Sequence, residues 1–318
     1  MKELNNSKNK TGRREFLSKI SAAAAMGFIG TNVIRGASPA DLEWSMEQPG
    51  PGMPMITLGQ YKISRLICGS NPLLGYSYMG AHTDQQMKEY FTTERTVEFL
   101  LKCEQAGITT HQLSSRYEYL NILRERGSKL KIICLHSERE KIKETMDNVQ
   151  PIAMVHHGGV TDRLFAEGNS KIVRDYVKAV KDSGKLAGVS AHNPDVIKQI
   201  ADEGWEVDFF MTCFYFLTRK LLKEETNSVM PVGGYNFLKN DPVVMTQVIR
   251  QVKQPCLGFK ILGAGRLCSS QKSVRDAFRF AFENIKPTDG IIVGMYPWYY
   301  DEISANTKYS RELGISPV

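Results

Sequence analysis

The chain of 318 residues has six cysteines, and no two stand in CxxC spacing, so an iron–sulfur cluster or a zinc ribbon finds no support. It contains no HxH and no HExxH motif, which leaves no local metal signature. No stretch reaches the roughly twenty apolar residues of a membrane span. Basic charge is scarce outside the start. Residues 1–40 hold seven Lys/Arg against two Asp/Glu, and the remainder holds 34 against 32. The net charge of +7 is therefore mostly a property of the first forty residues, and the body lacks the polybasic footprint of a nucleic-acid binder. With 42% hydrophobic and 24% charged residues, 26 Gly and 13 Pro, the composition is globular. Disordered, collagen-like and coiled-coil classes are excluded.

The leader has its own order. A polar, basic start runs into Arg13-Arg14-Glu15-Phe16-Leu17-Ser18-Lys19, then a weakly apolar Ala/Gly-rich run over 20–34, then small residues at Gly36, Ala37, Ser38 and Ala40. The run is too short, and with Thr31-Asn32 too polar, to span a bilayer. The segment resembles a twin-arginine export signal with a peptidase cut near residue 40. The competing reading is a chance Arg-Arg pair ahead of an amphipathic helix. The resemblance implies a signal peptide over 1–40, an exported body over 41–318, a periplasmic location, and the twin-arginine machinery as partner. Such export carries folded proteins, often with a cofactor already inserted. The cysteines, in contexts such as Leu66-Ile67-Cys68 and Ile132-Ile133-Cys134, read as small buried hydrophobes rather than a disulfide framework.

From about residue 55, short apolar runs alternate with amphipathic ones. Strands are expected over 63–69, 108–114, 131–136, 152–157, 186–191, 207–214, 256–262 and 290–294. Helices are expected over 93–106, 117–126, 139–148, 170–183, 194–202, 242–252, 274–284 and 300–313. Asn193 caps the helix that opens with Pro194. Strands that are apolar throughout, joined by helices, imply a parallel sheet covered on both faces. Eight such units predict a single-domain (β/α)8 TIM barrel behind the leader. A doubly wound open sheet is the alternative, but Gly69-Ser70-Asn71-Pro72 after the first strand lacks the glycine-rich dinucleotide fingerprint.

In a barrel, chemistry belongs to the C-terminal strand ends. These carry Asn71; His111 and Gln112; His136 and Glu138; His156 and His157; His192 and Asn193; Cys213 and Tyr215; Lys260; and Met295. Five of the six histidines fall there, with His82 in the first long loop. One such histidine reads as a hydrogen-bonded rim residue, whereas five suggest metal ligation or proton transfer.

Five segments in order, Tyr61–Gly75 (YKISRLICGSNPLLG), Ala106–Tyr117 (AGITTHQLSSRY), Gly188–Pro194 (GVSAHNP), Phe259–Leu267 (FKILGAGRL) and Gly294 through Asn306, resemble the aldo-keto reductase superfamily. The likeness is to its divergent, exported bacterial branch and covers about residues 55–315. It implies Tyr117 as proton donor to a carbonyl, with His157, or its neighbour His156, as the family's strand-four histidine. The pattern departs where Gln112 replaces an aspartate and His136 stands at or beside a lysine position. For NADP it implies Gly263, Ala264, Gly265 and Arg266 around the pyrophosphate, Ser190 and Asn193 at the nicotinamide amide, and Gly294 and Asn306 near the adenosine. No basic residue for the ribose phosphate stands in Met295-Tyr296-Pro297-Trp298.

Two enzyme readings follow. The first is an NADP-dependent oxidoreductase acting on the carbonyl or alcohol of a sugar-like small molecule. The second is a metal-dependent isomerase, epimerase or lyase, with His136, His157 and His192 holding a divalent cation, Glu138 or Gln112 as fourth ligand, and Lys260 as base or enolate stabiliser. A third is a non-catalytic binding barrel whose mouth is framed by residues 230–236 (MPVGGYN) and by Tyr296, Trp298, Tyr299 and Tyr300. Flat aromatic rings stack on sugars or, as simply, pack the last helix onto the barrel.

Overall fold

The computed structural model describes residues 52–220 and 235–315. The leader over 1–40, with its twin-arginine and cleavage features, and residues 230–234 of the loop assigned to the mouth lie outside the described residues. Residues from Gly50 onward cluster as one compact unit.

Two short strands come first, β1 (Met55–Leu58) and β2 (Tyr61–Ser64), which pair antiparallel. Gly59, at φ 55°, supplies the left-handed turn between them. Eight parallel strands follow: β3 (Leu66–Gly69), β4 (Thr110–Leu113), β5 (Lys131–His136), β6 (Ala153–His156), β7 (Leu186–Ala191), β8 (Phe209–Cys213), β9 (Cys256–Phe259) and β10 (Gly290–Gly294). They pair in chain order, and β10 returns to β3 to close a barrel. The protein is a (β/α)8 barrel, as the alternation implied.

Around it lie α1 (Ala81–Tyr90), α2 (Thr93–Gln105), α3 (Tyr119–Glu125), α4 (Ile142–Val149), α5 (Gly158–Ala166), α6 (Ser170–Asp182), α7 (Pro194–Asp202), α8 (Asp241–Gln251), α9 (Gln271–Asn284) and α10 (Glu302–Leu313). Asn193 caps α7 as expected, its side chain accepting from Asp195 N at 3.0 Å. No helix of the described residues is long and apolar enough to cross a membrane.

The strands have two buried faces, so alternation decides which side chain meets which layer. Ile67, Ile133, Val155, Met211, Leu257 and Ile292 fill the barrel interior, where Ile56, Leu58 and Ile63 of the hairpin join them. Their neighbours Leu66, Cys68, Ile132, Cys134, Met154 and Val293 face the helices. Five of the cysteines are buried and Cys268 is exposed.

Three features depart from the expected layout. The strand expected over 63–69 is broken at Arg65, whose buried guanidinium donates to the carbonyls of Asp289 (2.9 Å), Gly314 (2.7 Å) and Lys286 (3.0 Å). Holding those carbonyls turns the backbone out of one continuous strand. Helix α1 has no buried side chain, so it leaves no apolar periodicity to read. Helix α5 opens with Gly158-Gly159, a poor helix signal, yet it matters most for the site.

Candidate active site

Strand parity separates the five strand-end histidines. His111, on the helix-facing side of β4, donates from Nδ1 to Cys68 O (3.0 Å), and its Nε2 accepts from the Tyr119 hydroxyl (2.7 Å). His136 and His156 stand side by side in register, both on outward-facing positions. His156 is buried, hydrogen-bonded through Nδ1 to Thr161 Oγ1 (2.7 Å), with its ring centroid 5.0 Å from that of Tyr176 in an edge-to-face contact. Burial lowers its pKa to about 4. His136 is half-buried and accepts from Glu138 N at 3.2 Å, while Glu138 pairs with Lys141 at 2.6 Å near the surface. His157, one residue beyond β6, and His192, one residue beyond β7, turn inward. These two line a cavity of about 510 Å³ at the C-terminal mouth, with Gln112, Ser190 and Lys260. A ring of five converging imidazoles is thus reduced to two, because alternate residues of a strand point to opposite sides.

The proposed metal ligands do not meet. His136 and Glu138 stand outside the cavity, and no group of three or more His, Cys, Asp or Glu among the described residues is arranged for a metal ion. The donor set does not fit the cation assigned to it.

His192 is held by an aspartate that strand-end reading passed over. Asp162, on α5, lies 3.0 Å through Oδ2 from His192 Nδ1. Its side chain is 4% exposed and that of His192 12%. The carboxylate also accepts from the backbone N–H of His192 (3.0 Å) and Asn193 (3.3 Å) and from Thr218 Oγ1 (2.9 Å). An acceptor at Nδ1 fixes the tautomer, leaving Nε2 as the basic nitrogen. Burial lowers the His192 pKa, which the hydrogen bond to Asp162 opposes. Burial likewise lowers the pKa of His157, with the neighbouring His192 and Lys260 adding to the effect. Both rings are neutral bases near pH 7. No signal in the sequence marked Asp162, because the helix carrying it opens on two glycines.

Lys260 follows β9 at φ 59°, a left-handed conformation uncommon for a residue with a side chain. Its ammonium lies 4.5 Å from the ring centroid of Tyr78 and 4.8 Å from that of Phe259. Among the described residues it makes no ion pair. Ser190 Oγ is buried without a hydrogen-bond partner, in the wall of the same cavity.

Tyr117, the expected proton donor, does not reach this mouth. It lines neither this cavity nor the neighbouring one that shares Lys260, and its hydroxyl accepts from Asn148 Nδ2 of α4 at 3.4 Å. The chain leaves β4 through Ser114 and Ser115, which line the cavity, and then turns at Arg116 (φ 55°), carrying Tyr117 outward. Tyr78 stands at the mouth instead.

The residues assigned to the nucleotide divide in a similar way. Ala264, Gly265, Gly294 and Asn306 line a second cavity of about 270 Å³, which shares Asn71, Gln112 and Lys260 with the first. Gly263, Ala264 and Gly265 are all left-handed (φ 58°, 50° and 87°), a turn that exposes successive backbone amides. Arg266 lines neither cavity; its guanidinium lies 3.8 Å from the Phe237 ring centroid and donates to Tyr78 O at 3.2 Å. Asn193 is spent on capping α7 and lines neither cavity, whereas Ser190 belongs to the first. Glu302 closes one side of the second cavity, accepting from Tyr296 N at 2.7 Å, with burial raising its pKa to about 7. Tyr296 and Tyr300 line this cavity, Tyr300 being exposed as well, as are Trp298 and Tyr299, which do not line it.

No family model matches the chain. No curated protein matches it either. Among solved structures it is similar to a truncated 3-deoxy-D-arabino-heptulosonate 7-phosphate synthase from Thermotoga maritima (14% identity, 83% of this chain and 90% of that one, TM-score 0.46). It is also similar to the glycerol dehydrogenase AKR11B4 from Gluconobacter oxydans (11%, 83% and 97%, TM-score 0.46). A third is the N-acetylmannosamine-6-phosphate 2-epimerase from Clostridium perfringens (14%, 72% and 85%, TM-score 0.44). Each likeness is one of fold.

Proposed function

We propose that the protein is an enzyme that moves a proton at a hydroxyl or carbonyl of a small, sugar-like molecule, acting as an oxidoreductase of aldo-keto reductase type with a changed proton-transfer group. One observation carries this reading: the Asp162–His192 pair, fixed at 3.0 Å in the wall of a cavity of about 510 Å³. His192 takes the place that the family resemblance assigned to Tyr117. A neutral imidazole whose Nδ1–H is committed to a buried carboxylate is a base at Nε2, and Asp162 stabilises the imidazolium formed when a substrate hydroxyl gives up its proton. The direction favoured is alcohol to carbonyl. His157 and Gln112 offer hydrogen bonds to the substrate oxygens from the same wall.

The residues around the second cavity fit an NADP pyrophosphate in part. The amides of Ala264 and Gly265 would cradle the phosphates, with Asn306 and Gly294 bordering the adenosine side and Glu302 best tolerated in its protonated form. The nicotinamide, when bound, supplies the hydride acceptor. The test is a fluorescence titration with NADPH, run beside elemental analysis of the purified protein. Micromolar binding that is weakened by Ala264→Asp supports the oxidoreductase reading, and absence of binding overturns it.

A second reading has its own support. Two neutral histidines in one cavity wall suffice for proton abstraction and return in an isomerase or epimerase without a nucleotide. Its metal-dependent form lacks a ligand set among the described residues. The leader's resemblance to a twin-arginine signal supports a periplasmic location, and Arg13→Lys with Arg14→Lys should then retain the protein in the cytoplasmic fraction.

A further inference from the structure

The first cavity has an end that the proton-transfer reading leaves unused. Its floor is the N-terminus of α5, where Gly158 and Gly159 line the space. The N–H groups of a first helical turn have no intrahelical partner and point outward from the helix end. The residue before the helix, His157, supplies no side-chain cap. Ser190 stands directly over this turn. A Cβ built on Gly158 would come within 2.8 Å of Ser190 Oγ and 3.2 Å of His192 Cε1. Only a glycine lets the helix end approach these side chains so closely. Ser190 is 1% exposed, and its buried hydroxyl has no hydrogen-bond partner among the described residues. A buried hydroxyl left in that condition costs about 1–3 kcal/mol unless a ligand completes it.

The third element is charge. Lys260 borders the same cavity and makes no ion pair among the described residues. Neither nearby carboxylate pairs with Lys260: Asp162 accepts from His192 and Thr218, and Asp84 accepts from Ser77 N (2.8 Å) and Ser77 Oγ (2.6 Å). Both histidines are held neutral by burial and do not add to the positive charge.

We infer that the N-terminal turn of α5, Ser190 Oγ and the Lys260 ammonium together bind a carboxylate of the substrate, so that the enzyme acts on hydroxy acids or oxo acids, sugar acids among them. The inference rests on the substrate cavity proposed above but not on its nucleotide. Lys260 is the cation of this cavity, set against the Asp162 and Asp84 carboxylates, and the N–H and O–H donors match the two oxygens of a monoanion. A phosphate dianion would bring a second negative charge beside those two carboxylates. With the carboxylate seated on the helix end, the adjacent carbinol or carbonyl carbon falls next to His192, which shares contact with Gly158.

Matched acid and amide pairs test the assignment: D-glucuronate against D-glucuronamide, lactate against lactamide and pyruvate against pyruvamide, measured by calorimetry on the full chain. At least one acid is expected to bind about tenfold more tightly than its amide, the size of one charge-assisted contact. The preference should vanish in Lys260→Met and weaken in Ser190→Ala, with thermal melting checking that both variants fold. Equal binding of acids and amides, no binding by any of the three acids, or a preference that survives Lys260→Met overturns the inference. NADPH titration is read separately. Its failure removes the oxidoreductase reading and leaves the acid preference standing, and an absent preference leaves the nucleotide result untouched.

Discussion

At the scale of single residues, the site turns on one carboxylate and one imidazole. Asp162→Asn keeps the shape and removes the charge that fixes the His192 tautomer, so kcat should fall about 10²- to 10⁴-fold with KM little changed. Tyr117→Phe should leave activity within about twofold, the opposite of what an aldo-keto reductase tyrosine would show. The rate should be flat through neutral pH and fall as pH drops below the ordinary imidazole range, because burial lowers the His192 pKa and the base works in its neutral form. Losing the Asp162 hydrogen bond, which raises that pKa, should move the inflection lower still. His156 gives a separate signature in stability. Its pKa is lowered from 6.5 to about 4, so below pH 6.5 the unfolded chain binds a proton that the native state refuses. Stability present above that pH is lost as pH falls toward 4, by at most about 3 kcal/mol. In His156→Gln the melting temperature should decline less steeply over that window.

Among the elements, α5 does the most with the least sequence signal. It presents Asp162 to His192 from one side and its own first turn to the cavity floor from its end. Gly158→Ala should disturb both, since the new methyl group would press on Ser190 Oγ and His192 Cε1. A destabilisation of about 1–3 kcal/mol by overpacking, seen by denaturant titration, should accompany a loss of activity larger than the stability change explains. The strands show the opposite case. Lys131–His136, Leu186–Ala191 and Gly290–Gly294 coincide with their sequence-based limits, because the middle of each run is buried on both faces and apolar residues dominate it. The same apolarity hides parity. His156 and His157 are adjacent letters, yet one packs on Tyr176 of α6 and the other lines the cavity. Only the pairing of β6 with its neighbours tells them apart.

Taken whole, the barrel has two different ends, with the candidate site at the C-terminal mouth and the closure of the ring at the bottom. There Asp289, fully buried, accepts from the backbone N–H of Cys256 (2.8 Å) and Lys286 (2.7 Å), while Arg65 binds the Asp289 carbonyl. This network ties β3, β9 and β10 at the seam that closes the ring. Asp289→Ala should cost about 3–5 kcal/mol, because it removes the acceptor of these two donors and the carboxylate 3.1 Å from the Lys286 ammonium. It should leave kcat unchanged at temperatures where the fold survives, which melting and steady-state assays together would check. The sequence alone determined the eight strand–helix units, their parallel order, the cap at Asn193 and the basic leader, because burial periodicity and capping are local properties written in neighbouring residues. Tertiary structure alone decided that two of five histidines share a cavity, that Asp162 pairs with His192 while Tyr117 lies outside that cavity, and that Ser190 and Lys260 line the space onto which a helix end opens. Those facts depend on the closure of the ring and on strand register, which bring together groups from positions 112 to 260 and leave no trace in the spacing between them.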